Sequence, residues 1–80
     1  KVRTRKKALR HVVDEVSAAV EGKENIRLAA LHAAARDDAA ALLQTASERL
    51  NPIEAHLAEL SPVVGAHVGP GTVGLAWCTD

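Results

Sequence analysis

In GAHVGPGTVGLAW, residues 65–77 of this 80-residue sequence, a histidine stands two positions ahead of Gly-Pro-Gly. His67 falls where a short helix must give way to a turn. Gly69 and Gly71 can bring backbone close to a ligand, and Pro70 stiffens the loop between them. An imidazole held there can donate a hydrogen bond to an anion. On spacing alone, a partly exposed loop histidine is the simpler reading.

The remaining chemical groups offer less. His11 sits on a polar stretch of a helix, and His32 and His56 sit in strands, none with a second histidine or a cysteine at metal-ligand spacing. No metal site is expected. Asp37 and Asp38 are adjacent, so on a helix they point different ways and read as helix-start residues rather than a catalytic pair. Cys78, the single cysteine, excludes an internal disulfide and reads as a small core residue. No phosphate-cradling glycine loop, nucleophile elbow or HExxH helix is present. The residues therefore build no self-contained active site, and a catalytic role is not expected.

Charge is uneven although it sums to zero. Six of the ten basic residues lie in KVRTRKKALR (1–10), leaving four basic against ten acidic side chains in the remainder. A basic end on an acidic body suits an anionic partner near the start, or is simply a solvated first stretch of helix.

The elements that must hold these groups follow from periodicity. Between Thr4 and Glu21, Leu9, Val12, Val13, Val16 and Val20 recur at helical spacing, with Thr4 placed to cap the start and Gly22 to end the helix. NIRLAALHA (25–33) is apolar almost throughout and predicts a strand covered on both faces or nearly so. RDDAAALLQTASERL (36–50) is a second amphipathic helix with Leu42, Leu43, Ala46 and Leu50 as its stripe, stopped by Asn51-Pro52. IEAHLAEL (53–60) alternates Ile53, Ala55 and Leu57 inward against Glu54 and His56, a half-buried strand. Ser61-Pro62 starts a short helix to about Val68. TVGLAWC (72–78) closes as a strand with Val73, Leu75 and Trp77 on one face and Gly74, Ala76 and Cys78 on the other. The expected fold is α+β: a two-layer α/β sandwich in which a small mixed sheet carries the two longer helices on one face.

Composition bounds this fold. Hydrophobic residues make up 48% of the chain, but sixteen are alanine and Trp77 is the one aromatic. A chain this short buries only about 60–65% of its unfolded surface, so the core is thin. With a basic run at Lys1 and no initiating methionine, the sequence has the look expected of a piece of a longer chain, and self-association is expected of it alone. No stretch approaches the ~20 uninterrupted apolar residues of a membrane helix, and no signal-peptide pattern opens the sequence. A soluble, cytoplasmic protein is expected.

Two stretches resemble the bacterial DegV family. LSPVVGAHVGPGTVGLAW (60–77) is similar to the family's closing motif: a leucine, a Gly/Ser-Pro pair, two or three aliphatics, Gly-x-His-x-Gly-Pro-Gly and a small apolar strand. RTRKKAL (3–9) resembles the basic motif that opens the preceding long helix, and a strand-helix-strand segment separates the two in the same order. The resemblance covers essentially all residues 1–80. It implies a two-lobed α/β protein that binds a long-chain fatty acid with its tail in an apolar tunnel. In some members it further implies a carboxylate presented to the ATP-binding subunit of a fatty-acid kinase, so any kinase chemistry is the partner's. By the same resemblance His67 joins the hydrogen-bond network at the carboxylate, with Gly69, Pro70 and Gly71 forming the loop there. Arg3 matches the basic residue near the head group and the kinase-docking surface. Full members are several times longer, and their first lobe supplies hydroxyl groups to the site. The chain is thus expected to be the C-terminal part of the second lobe, holding half a site and no fatty acid by itself.

The physics is compatible. Burying an acyl tail contributes roughly 0.8 kcal/mol per methylene, while the carboxylate is costly to bury without fixed donors. A histidine, loop amides and an arginine are suitable donors. Two other readings stay open on the residues: nucleic-acid or acidic-partner binding through the basic start, and a scaffold part of an enzyme whose site lies elsewhere. Absence of an aromatic stacking surface and the acidic body weigh against nucleic acid.

Overall fold

A computed structural model describes the backbone of residues 2–80 and the side chains from residue 5 onward. The order is α1 (Val2–Ala19), β1 (Arg27–His32), α2 (Arg36–Leu50), β2 (Glu54–Glu59), α3 (Pro62–Val68) and β3 (Val73–Cys78). The three strands form one sheet in the order β2-β1-β3. β1 runs parallel to β2, as the crossover through α2 demands, and antiparallel to β3. The mixed α+β sandwich is the observed fold. No helix among the described residues is long and apolar enough to cross a membrane.

The layers follow from the alternation of β1. Leu28, Ala30 and His32 are buried, while Arg27, Ala29 and Leu31 on the other face are half-buried. Val13, Val16 and Val20 of the first helix and its extension meet Leu28, Leu42 and Ala46 in the core, and Val73 and Leu75 pack against the same cluster. Both long helices therefore cover one face, as the stripes required. Asn51 ends α2 in the left-handed conformation, its amide on Ser47, and Gly22 (φ +77°) turns the chain after α1.

Several expectations are corrected. Thr4 does not cap α1, because the helix is already under way at Val2 and carries the basic run inside it. β1 is not covered on both faces, because both helices lie on the same side. β2 is an edge strand and is buried less than its pattern suggested: Leu57 is half-buried, but Ala55 is exposed and Ile53 is 54% exposed. Cys78 is exposed on the uncovered face rather than packed in the core. The expectation for Arg3 near the head group is not among these corrections, because its side chain lies outside the described residues.

Candidate functional site

α3 begins as its sequence dictates, with the Ser61 hydroxyl accepting from the Val64 amide at 3.3 Å and Pro62 at the first helical position. Its seven residues are nearly all apolar, yet little covers them: Val63 is 81% exposed, and Val64 and Val68 are exposed as well. His67 projects from the last turn, exposed, and its side chain makes no hydrogen bond to another described residue. The helix then stops at Gly69, whose amide donates to the Gly65 carbonyl at 2.8 Å.

The loop after it is fixed by a closed set of bonds. Gly69 and Gly71 both have φ near +90°, a region that disfavours any side chain. A Cβ at either position would meet nothing within 4 Å, so backbone conformation and not crowding requires glycine. Gly71 donates its amide to the Ala33 carbonyl at 2.7 Å, and Ala33 returns its own to Thr72 at 2.9 Å, so the β1–β3 pairing runs on into the loop. The Thr72 hydroxyl reaches the carbonyls of Val68 (3.0 Å) and Gly69 (2.9 Å). Both loop amides are thus engaged within the fold. The Gly69 and Gly71 N–H groups are therefore not free donors.

Two residues at this end were not singled out by the sequence. Arg5 of α1 donates its Nε to Asp38 of α2 at 2.7 Å and its Nη2 to the Gly71 carbonyl. It was part of RTRKKAL, but nothing in a spacing of 33 or 66 residues announces such contacts. His32 is 4% exposed and accepts the Ala35 amide on Nδ1 at 3.1 Å. Ala35 is the N-cap residue of α2 and has no side chain to cap it; the buried imidazole takes the amide of Ala35 itself, one of the helix-start N–H groups that lack an intrahelical acceptor. Accepting at Nδ1 fixes the ring as the Nε2–H tautomer. His32, Arg5, Asp38, Glu59 and Gly71 line an open cleft of about 670 Å³. A neighbouring cleft of about 550 Å³ lies among Ala33, Leu60, Pro62, Gly65 and Pro70.

His11 and His56 take no part: His11 lies 3.7 Å from Glu15 on the outer side of α1, and His56 is exposed on β2. No group of three His, Cys, Asp or Glu residues able to hold a metal occurs among the described residues.

The family model described as "Uncharacterised protein, DegV family" matches residues 1–80. The chain belongs to the DegV family. It is 30% identical to Protein DegV of Bacillus subtilis over 78 residues, covering 98% of this chain and 28% of that protein. A DegV domain-containing protein of Streptomyces coelicolor is 37% identical over 76 residues (94% of this chain, 27% of that one). One from Clostridium perfringens is 32% identical over 80 residues, covering all of this chain and 28% of the relative. The chain therefore spans little more than a quarter of the length of the curated DegV relatives it matches.

Proposed function

We propose that this segment supplies one side of a fatty-acid site in a longer DegV protein, as the final part of its second lobe. The carrying observation is the exposed His67, its side chain without a hydrogen-bond partner among the described residues, at the end of an exposed apolar helix and against a loop locked by its own hydrogen bonds. His67 donates to the carboxylate. Val63, Val64 and Val68 offer apolar surface beside it, which an acyl tail or the rest of the protein covers. The Gly69-Pro70-Gly71 loop sets the approach to the head group. The segment performs no chemistry. The basic face of α1, where Lys6, Lys7 and Arg10 are exposed and Arg3 belongs to the same run, docks the ATP-binding kinase subunit that phosphorylates the carboxylate.

The test uses the full-length protein and oleate. Removing one donor to a charged group costs about 1.5–3 kcal/mol, which is roughly ten- to over a hundredfold in affinity. His67→Ala should lose that much oleate binding and an equal share of acyl-phosphate formation, with little change in melting temperature. Lipid extracted from the wild type should contain fatty acid by mass spectrometry. Equal oleate binding by wild type and folded His67→Ala would leave the histidine a turn residue.

A further inference from the structure

Among the described residues, Arg5 is the side chain that joins α1, the start of α2 and the Gly-Pro-Gly loop. Its guanidinium forks, with Nε on the Asp38 carboxylate and Nη2 on the Gly71 carbonyl. Asp38 lies in the first turn of α2, where a carboxylate is favoured by the helix dipole. The Gly71 residue is therefore held from both sides, its amide by Ala33 and its carbonyl by Arg5. From Gly71 the constraint passes to Thr72, whose hydroxyl holds the carbonyls of Val68 and Gly69 directly after His67.

Arg5 and Asp38 are both about half exposed, at 42% and 48%. An ion pair that wet contributes little to stability, so folding alone does not account for its geometry. Two donors set at a fixed angle are what a guanidinium provides and an ammonium does not. Arg5 also stands between two clefts: the one lined by His32 and Asp38, and another lined by Leu9, Val12, Pro70 and Val73.

We propose that Arg5 is a positioning residue: a two-pronged latch that fixes the Gly71 carbonyl, and through Thr72 the end of α3, so that His67 is pre-set for its ligand. This rests on the carboxylate reading of His67. The latch itself is a property of the fold and is measured separately.

The experiment compares wild type, Arg5→Met, Arg5→Lys and Asp38→Asn in the full-length protein, reading amide hydrogen exchange at Gly71 and Ala33, whose amides bond across this turn, and oleate affinity. Arg5→Met should speed exchange at both amides and weaken oleate binding on the order of tenfold, because small misplacements of a binding group are costly. Arg5→Lys should not rescue either reading. Asp38→Asn keeps an acceptor for Nε without the charge and should show a smaller shift in the same direction. Unchanged exchange in folded Arg5→Met overturns the latch. Faster exchange with unchanged oleate affinity overturns its role in positioning. If His67→Ala binds oleate as wild type does, the carboxylate reading fails by itself, and the exchange data still decide the latch.

Discussion

Ala34 occupies the left-handed region at φ +52°, between the end of β1 and the start of α2. An alanine there carries roughly 1–2 kcal/mol of steric cost that glycine avoids. Part of that gain is lost because glycine is freer in the unfolded chain. Ala34→Gly should therefore stabilise the protein by about 0.5–1 kcal/mol, visible as a higher denaturation midpoint at unchanged m-value. A lower midpoint would mean that the Ala34 methyl contributes packing that outweighs its backbone strain. At this scale the sequence was legible where one residue settles its own conformation, as at Gly22, Asn51, Ser61 and Pro62. It was illegible where meaning depends on a distant partner. Arg5 looked like one more charge in a basic run, and only the fold brings Asp38 and Gly71 to it.

Among the elements, α2 has the less obvious foundation. Asp37 and Asp38 suit its positive end, but neither acts as the cap; the acceptor for Ala35 is the buried His32 ring. His32→Ala removes that bond and leaves a ring-sized void beneath the helix start. A net hydrogen bond of about 1 kcal/mol and the lost packing together predict about 2–4 kcal/mol of destabilisation by denaturant titration. His32→Asn restores an acceptor of suitable length and should recover part of the loss. If His32→Ala costs well under 1 kcal/mol, the ring is not what starts α2. Element types and order were readable because the helical stripes are long and the strands short and bounded by Gly, Pro and Asn. The Thr4 cap failed for a local reason: arginine and lysine are good helix formers, so the helix runs back through the basic stretch.

At the scale of the whole molecule, the helical stripes put both long helices on one face of the sheet, but the apolar run of β1 did not show how far the other face stays open. An apolar run such as RLAALH predicts burial on both sides, and the sequence cannot say which polypeptide covers the second side. Both long helices lie over Leu28 and Ala30, while Leu31 on the other face, beside Ala58 and Gly74, is only half-buried. Two leucines three positions apart on one strand should thus respond in opposite ways. Leu28 is 2% exposed, and Leu28→Ala should cost about 2–5 kcal/mol. For 80 residues, total stability is of order 4–12 kcal/mol, so that substitution removes much of it. Leu31→Lys instead places a charge on a face open to water. In the isolated segment it should leave the circular-dichroism spectrum and denaturation midpoint nearly unchanged while reducing self-association in sedimentation at micromolar concentration, because it interrupts the apolar surface that copies would share. In the full-length protein the same Leu31→Lys substitution should destabilise if the remainder of the chain covers this face. A full-length Leu31→Lys protein as stable as wild type would show that the face stays in water there too.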